Sequence, residues 1–342
     1  MTPFSPSLAN SFQVPPQIAE SQPLHRSDSG SELSPHRLFD VQGLVAVITG
    51  GGSGIGRMMA AALENNGATV YIIGRRLDVL QSTVEEISKH GNIIAVEGDV
   101  TDRESLLAIA ETVKERHGYI DLLVNNAGIA RDLYSHPLPR PESSLSGSEP
   151  LIPSIKAFQA SLWESSSPEG FTETFLTNVT SVYYTTIAFL DLLHQGNLRK
   201  RRPDDGHSHQ PPLFSSQVLS ISSSGGFRLD ANILSLSYTL SKAACTHLGK
   251  LLANLLAPWG IRSNVLAPGV FPSEMTAGVI PGVSINGHGP LPIVESVPLK
   301  RAGTEEEIAG VILFLASPAG AYVNGAVWLV DGGRIGSVPS SH

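Results

Sequence analysis

The chain has 342 residues and a formal net charge of −8, and 41% of its side chains are hydrophobic. That composition can bury a large core, whereas the net charge argues against a nucleic-acid surface, which needs a concentrated basic face. The single cysteine, Cys245, excludes an intrachain disulfide and is expected to be a packed apolar residue. No apolar run reaches the ~18 residues that cross a bilayer, so we expect a soluble, cytoplasmic protein without a membrane partner.

The first forty residues are rich in serine and proline and show neither a strand period nor a helix period. Such a segment cannot bury enough apolar area to offset its ordering entropy, so residues 1–40 are predicted to be a disordered tail. The segment lacks the apolar stretch of a secretory signal, and it contains acidic residues that count against a mitochondrial presequence.

From Val41 onward, short apolar runs alternate with longer segments of helical period. Several runs are apolar at successive positions, as in strands that are covered on both faces. The pattern predicts a doubly wound parallel α/β sheet of the Rossmann type, in one domain over residues 41–336. The candidate strands are residues 44–49, 69–73, 92–97, 120–125, 217–222, 262–267 and 326–330.

Two polar interruptions, at about residues 131–170 and 197–216, are predicted to be surface insertions. The first follows a strand at its carboxyl end, where open α/β sheets bind ligands, so we expect it near the substrate. The basic run RKRR at 199–202 is interpreted as part of the solvated second insertion. His207 and His209 have no further ligand candidates nearby, and we predict no metal site.

The segment TGGGSGIG, residues 49–56, lies directly between the first candidate strand and a helical pattern. Glycines let a backbone approach a pyrophosphate, and a helix N-terminus adds unpaired N–H groups and a positive dipole end. Because strand, loop and helix occur in the required order, the segment predicts nucleotide binding. The alternative is a simple tight strand-to-helix turn.

The glycine spacing resembles that of the short-chain dehydrogenase/reductase family, and further family motifs follow in order over about residues 43–336. The segment PGVFPSEMT at 268–276 is also similar to rhamnolipid-type 3-oxoacyl carrier-protein reductases. The matching motifs are TGGGSGIG at 49–56, NNAG at 125–128, LTNVTSVY at 176–183, LSISSSGG at 219–226, YTLSK at 238–242 and LAPGVFPSEMT at 266–276.

Tyr238 and Lys242 are four residues apart, so on a helix both side chains share one face. A nearby ammonium favours phenolate over phenol, which suits the tyrosine to proton exchange. The resemblance implies that Tyr238 exchanges a proton with a substrate oxygen, that Lys242 holds the nicotinamide ribose, and that Asn178 supports a proton relay. It also implies a serine that orients the substrate oxygen. We select Ser223, with Ser222 and Ser224 as alternatives.

The second candidate strand ends in Gly74, Arg75 and Arg76, where an NAD enzyme places a carboxylate for the ribose hydroxyl. A guanidinium matches phosphate geometry, so Arg75 predicts NADP(H) rather than NAD(H). The remaining cofactor contacts are implied by the resemblance, with Asp99 and Val100 at the adenine and Ser273 at the carboxamide. They are Thr49, Gly50, Ser53, Gly54, Ile55, Gly56, Asp99, Val100, Asn126, Ala127, Gly128, Pro268, Gly269 and Ser273, together with Tyr238 and Lys242.

These residues predict an NADP(H)-dependent enzyme that interconverts a ketone and a secondary alcohol. Glycine and proline over about residues 270–300 are typical of a substrate lid, and that segment offers no cationic cluster, which favours a fairly apolar small-molecule substrate. A reductase of carrier-bound 3-oxoacyl thioesters and a non-catalytic NADP(H)-binding scaffold are the alternatives. The resemblance implies a homodimer or homotetramer.

Overall fold

The computed structural model describes residues 33–134, 138–139, 155–200, 215–230, 232–273 and 292–342. In these residues, seven parallel strands form one sheet in the order β3-β2-β1-β4-β5-β6-β7. The predicted doubly wound parallel sheet is therefore confirmed, and each strand boundary lies within two residues of its prediction. The strands are Val45–Thr49 (β1), Thr69–Gly74 (β2), Ile93–Glu97 (β3), Leu122–Asn125 (β4), Gln217–Ile221 (β5), Arg262–Pro268 (β6) and Val327–Val330 (β7).

Helices cover both faces of this sheet and connect most of its strands. Ser235 caps the longest of them, because its side chain accepts a hydrogen bond from the Tyr238 N–H. The helices are Pro35–Leu38 (α1), Gly54–Asn65 (α2), Leu77–Ile87 (α3), Arg103–His117 (α4), Ile155–Glu164 (α5), Pro168–Phe175 (α6), Ser181–Ala188 (α7), Leu190–Lys200 (α8), Leu236–Leu256 (α9), Pro292–Glu295 (α10) and Glu305–Ala316 (α11). A π-helical turn, Leu176–Thr180, separates α6 from α7, and a 3₁₀ turn, Ser224–Phe227, follows β5.

The central strand β1 shows why the apolar runs are continuous. Ala46 and Ile48 belong to a buried cluster that contains residues of α2 and α11. Val45 and Val47 point to the opposite face, into a cluster with residues of α4 and α9. Because successive side chains of a strand point to opposite faces, a sheet that is covered on both sides needs an apolar residue at every position.

The interpretation of the basic run at 199–202 as solvated is wrong for Lys200, whose side chain is 11% exposed, whereas Arg199 remains exposed. Arg199 and Lys200 lie on α8, and each places a nitrogen within 3 Å of the Asp121 carboxylate, at 2.9 and 2.8 Å. Asp121 has no exposed side-chain surface, and it also accepts the Val45 N–H at 2.9 Å. A buried carboxylate is stable only when it is paired, which is why both cations turn their nitrogens to Asp121 and Lys200 is largely buried. Residues 201 and 202 lie outside the described part.

Other predicted segments fall partly outside the described residues. Of the predicted tail, residues 33–40 are described and include α1, while residues 1–32 are not. The first predicted insertion contains α5 and the start of α6, with residues 135–137 and 140–154 outside. His207 and His209 lie outside, as do residues 274–291 of the predicted lid.

The described residues also bear on membrane insertion and metal binding. None of the described helices combines the length and apolar character needed to cross a membrane. In the same part of the chain, histidine, cysteine, aspartate and glutamate do not form a group of three or more that could hold a metal ion.

Candidate active site

The glycine loop after β1 is tied to the segment after β4 by a set of short hydrogen bonds. The Thr49 hydroxyl accepts the backbone N–H groups of Asn126 and Ala127 at 3.0 and 3.1 Å. In return, the Asn126 amide donates to the carbonyl groups of Thr49 and Gly50, both at 2.9 Å. The Asn126 side chain therefore holds the shape of the glycine loop. Asn126 follows β4 and lies close to this loop because β4 pairs with β1.

Three glycines of the loop occupy positions that a side chain would obstruct. Gly50 has φ +64°, and a Cβ built on it would lie 2.9 Å from the Ala127 Cα. A Cβ on Gly56 would lie 2.3 Å from the Gly50 carbonyl oxygen, and Gly54 has φ +52°. Left-handed φ values and the absence of side chains leave the backbone N–H groups at the start of α2 accessible to an anionic ligand.

A cavity of about 340 Å³ opens beside this loop. Arg75 and Arg76 lie on its wall directly after β2, and both are exposed. Asp99 lies on the same wall, where its Oδ1 accepts the N–H and the hydroxyl of Thr101 at 2.8 and 2.7 Å. This arrangement leaves the second carboxylate oxygen of Asp99 for a donor such as an adenine amino group. The lining residues therefore fit the phosphates of a nucleotide cofactor, because glycine backbone can approach a pyrophosphate and guanidinium groups match anionic oxygens.

Tyr238 and Lys242 lie in the first turns of α9. Lys242 is 4% exposed, and its Nζ donates to the Ile221 carbonyl at the end of β5 at 2.9 Å. The same nitrogen lies 5.8 Å from the centroid of the Tyr238 ring. The buried ammonium is thus held between strand and helix on the tyrosine's side of α9, as the i, i+4 spacing predicts.

The three consecutive serines after β5 have different environments. Ser222 is buried, and its hydroxyl bonds to the Lys242 carbonyl at 2.7 Å and to the Thr246 hydroxyl at 2.6 Å. Ser224 is also buried and begins the 3₁₀ turn. Ser223 is partly exposed, and its oxygen accepts the Gly225 N–H at 3.0 Å, which leaves the hydroxyl hydrogen available for donation. The geometry favours Ser223 for contact with a substrate.

Asn178 lies in the π-helical turn, a local irregularity that is frequent at functional sites. Its side-chain amide donates to the Ile129 carbonyl and accepts the Ile129 N–H, both at 2.9 Å. The second amide hydrogen is donated to the Ser241 hydroxyl at 2.9 Å. A Cβ built on Gly128 would lie 3.1 Å from Asn178 Oδ1 and 3.2 Å from Lys242 Nζ. The loop after β4 therefore brings Asn178 and Lys242 to the edge of the cavity.

The Pro-Gly segment closes the site from the β6 side. Pro268 is the last residue of β6, and a Cβ on Gly269 would lie 2.6 Å from the Asp331 Cα, so the chain can turn there only with glycine. A Cβ on Gly54 would lie 3.1 Å from Ser273 Cβ, which places Ser273 against the glycine loop. The remaining predicted contacts, Ser53 and Val100, line the cavity, and Ile55 lies in α2.

One ion pair at the cavity rim was absent from the sequence predictions. Arg131 donates two hydrogen bonds to the Glu173 carboxylate, both at 3.0 Å, and Glu173 lines the cavity. The hydrogen bond from Arg131 lowers the pKa of Glu173, and the positive charge of Arg75 contributes in the same direction. Sequence patterns could not find this pair, because the two residues lie 42 positions apart on a loop and a helix whose packing is set by the fold.

Comparisons with known proteins place these features in a wider group. Residues 44–145 match a family model described as short chain dehydrogenase, and residues 154–334 match one described as Enoyl-(Acyl carrier protein) reductase. Over 322 residues the chain is 41% identical to the short-chain dehydrogenase/reductase VdtF of Byssochlamys spectabilis, which covers 92% of this chain and 99% of VdtF.

Two comparisons with Pseudomonas aeruginosa proteins confirm the resemblance to rhamnolipid-type 3-oxoacyl carrier-protein reductases. The rhamnolipids biosynthesis 3-oxoacyl-[acyl-carrier-protein] reductase is 29% identical over 301 residues, covering 87% of this chain and 98% of that protein. The solved structure of the RhlG/NADP active-site complex superposes with a TM-score of 0.68 at 28% identity, over 88% of this chain and 99% of that chain.

Proposed function

This chain belongs to the short-chain dehydrogenase/reductase family, whose members are nicotinamide-dependent oxidoreductases, and we propose that it interconverts a ketone and a secondary alcohol with NADP(H). One observation carries the proposal. Gly128 lines the cavity beside the glycine loop, and it also lies against Asn178 and Lys242. Gly128 is therefore the residue at which the predicted cofactor site and the predicted catalytic residues meet.

The cofactor, when bound, supplies the hydride in reduction and accepts it in oxidation. In reduction, the Tyr238 hydroxyl donates its proton to the substrate carbonyl oxygen, where negative charge develops. The Ser223 hydroxyl donates a hydrogen bond to the same oxygen and fixes its direction. These two donors stabilise a transition state that carries charge on oxygen.

Lys242 and Asn178 support this chemistry through contacts within the protein. The Lys242 ammonium is buried, and its bond to the Ile221 carbonyl holds its positive charge on the tyrosine's side of α9. Asn178 uses both amide hydrogens and its oxygen on Ile129 and Ser241, so its contribution to a proton relay is to fix the backbone of the loop. Both side chains contribute by positioning.

The preference for NADP(H) is proposed from Arg75 and Arg76, which occupy the end of β2 where a carboxylate would select NAD(H). The Glu173 carboxylate lines the same cavity, and its negative charge is paired with Arg131. The similar RhlG structure is itself an NADP complex, which supports the same choice.

We propose a fairly apolar substrate in biosynthetic metabolism, such as a polyketide, terpenoid or acyl chain. A carrier-bound 3-oxoacyl thioester is the second candidate, because the chain is similar to a 3-oxoacyl-[acyl-carrier-protein] reductase along most of its length. The two candidates differ in a simple test: an enzyme for carrier-bound substrates reduces thioesters and leaves small ketones unchanged.

The first experiment titrates NADPH and NADH against the wild type, Tyr238→Phe and the double variant Arg75→Ala/Arg76→Ala. Reduction of a panel of ketones and 3-oxoacyl thioesters is then followed by NADPH absorbance. We expect NADPH to bind more tightly than NADH. Tyr238→Phe should keep NADPH binding and lose at least about 100-fold in kcat, the contribution of a general acid.

The arginine variant should bind NADPH about tenfold more weakly, which is the loss of one charge-assisted contact, while NADH binding stays within about twofold. Arg116→Ala, on the surface of α4, is the matched control and should change neither affinity. Tighter binding of NADH by the wild type would contradict the cofactor proposal. NADPH binding without turnover of any ketone or thioester would favour the non-catalytic scaffold.

A further inference from the structure

Residues 338–342, here called the strap, run antiparallel to the chain that follows Ser223. Two backbone hydrogen bonds and one bridge join the segments: Leu229 N–H to Pro339 O at 2.9 Å, Ser341 N–H to Phe227 O at 2.9 Å, and Arg228 opposite Ser340. This pairing lies outside the parallel sheet and connects two segments more than 100 positions apart in the sequence.

Side-chain contacts, in addition to the backbone hydrogen bonds, hold the strap in place. Phe227 is 8% exposed and packs with Ala267 and Ile335 in a small cluster of its own, to which Val338 of the strap also contributes. The His342 ring meets the Phe227 ring edge-on, with 5.3 Å between the ring centroids. Phe227 is therefore covered from the strap side, and the cluster extends to the end of β6, next to the Pro-Gly segment.

On its other side, the same turn touches the proposed catalytic residues. We call residues 223–227 the serine turn. A Cβ on Gly226 would lie 2.8 Å from both the Ala243 N and the Lys242 carbonyl carbon, so the serine turn rests directly on α9. A Cβ on Gly225 would lie 3.2 Å from Ser223 Oγ and 3.7 Å from Tyr238 Cε1. A shift of the serine turn therefore moves Ser223 relative to Tyr238.

The serine turn has little internal stability. It is a single 3₁₀ turn, whose hydrogen bonds, Gly226 N–H to Ser223 O at 3.0 Å and Arg228 N–H to Gly225 O at 3.3 Å, have poorer geometry than those of an α-helix. The direction of the Ser223 hydroxyl depends on this turn, because its oxygen accepts the Gly225 N–H. External contacts must therefore hold the turn in place.

We propose that the strap is a positioning element of the active site, which holds the serine turn against α9 and so sets the Ser223 hydroxyl relative to Tyr238. The proposal rests on the function proposed above. Nothing in the strap touches the reacting atoms in this mechanism. Its contribution is the alignment of two donors on one substrate oxygen, for which displacements of about 1 Å can cost up to about 100-fold in rate.

The test replaces Ser341 by proline, which has no N–H and therefore cannot donate to the Phe227 carbonyl. Ser341→Ala keeps the N–H, loses only the long hydroxyl contact to the same carbonyl at 3.5 Å, and is the matched control. Both changes are made in the wild type and in Ser223→Ala. The readouts are kcat and KM with the best substrate of the panel, the Kd for NADPH, and hydrogen exchange of the peptide that covers the serine turn.

We expect Ser341→Pro to lower kcat about tenfold while KM and the Kd for NADPH change less than about twofold, because alignment and not binding is lost. Amide exchange in the serine turn should rise, and Ser341→Ala should match the wild type. In the Ser223→Ala background, Ser341→Pro should have less than about a twofold further effect, since the strap acts through that serine.

Unchanged amide exchange in the serine turn of Ser341→Pro would overturn the proposal. An equal loss of kcat in the wild type and in Ser223→Ala would also overturn it, because such a loss indicates a general effect on the fold. If the wild type reduces no substrate, the proposed function fails, while the exchange measurement still decides whether the strap holds the serine turn. If Ser341→Pro does not fold, His342→Ala, which removes the strap's ring from Phe227, takes its place with the same expected outcomes.

Discussion

Single residues in this protein are stabilised by what the fold places around them, and Glu64 is the clearest case outside the active site. Its carboxylate has no exposed surface, yet it accepts hydrogen bonds from the Ser88 hydroxyl and from the N–H groups of Lys89, His90 and Asn92, at 2.7–3.3 Å. Burial by itself raises the pKa of this carboxyl, but the four hydrogen bonds together lower it below its ordinary value of 4.5. Glu64 thus organises the loop before β3.

Replacing Glu64 by glutamine should destabilise the protein by about 2 kcal/mol at pH 7, because one acceptor and the negative charge are lost from four donors. A carboxyl whose pKa is lowered by folding stabilises the fold above its unfolded pKa and loses this contribution as the pH falls through the folded pKa. The difference in Tm between the wild type and Glu64→Gln should therefore be largest near pH 7 and shrink below about pH 4.5. Glu85→Gln, on the exposed side of α3, should show no difference at either pH.

At the scale of elements, the β1–α2 unit and the loop after β4 act as one body. The glycine loop cannot change shape without displacing Asn126, whose amide bonds to two carbonyl groups of the loop. In the same way, the loop after β4 is joined to the π-helical turn by the Asn178–Ile129 bonds and to α6 by the Arg131–Glu173 pair. The side chains of Asn126, Asn178 and Arg131 are therefore each bonded to an element other than their own.

Gly56→Ala tests this rigidity, because the added Cβ would lie 2.3 Å from the Gly50 carbonyl oxygen and 2.5 Å from the Asn126 amide. Overpacking of this kind costs about 1–3 kcal/mol, and we expect at least about tenfold weaker NADPH binding by fluorescence titration. The matched control is Gly310→Ala in α11, where a Cβ meets nothing within 4 Å. This substitution should raise the free energy of unfolding by about 1 kcal/mol through helix propensity and leave NADPH binding unchanged. Normal binding by Gly56→Ala would show that the loop can yield.

The whole molecule gathers chemistry at one edge of its sheet. The glycine loop, Arg75, Asp99, Ser223 and Gly269 all lie at the carboxyl ends of parallel strands, which meet at the same edge. The outer surface of α9 is different, since Leu236, Leu240, Leu251 and Leu255 are 43–59% exposed along one stripe of the helix. Exposed apolar stripes mark interaction surfaces, which supports the proposal of a homodimer or homotetramer.

If the chain forms the homodimer or homotetramer that the family resemblance implies through this stripe, Leu251→Glu together with Leu255→Glu should give a monomer, because charges at an apolar interface are left buried without partners. Light scattering coupled to size-exclusion chromatography measures the mass of each species. Leu107→Glu is the control, since Leu107 is 62% exposed on α4 and lies outside the stripe. An unchanged mass for the double variant would exclude the α9 stripe as the interface, and a monomeric wild type would contradict the oligomer itself.

The sequence by itself determined the seven strands, their parallel arrangement and the glycine loop, because hydrophobic periodicity and turn motifs depend on residues that are close together in the chain. It also placed Tyr238 and Lys242 on one helix face, since four residues make about one turn. Only the tertiary structure decided the environment of each of the three serines, the pairing of Lys200 with buried Asp121, and the contact of the strap with the serine turn. These contacts join residues far apart in the chain, and neither a period nor a spacing encodes them, because they depend on how whole elements pack.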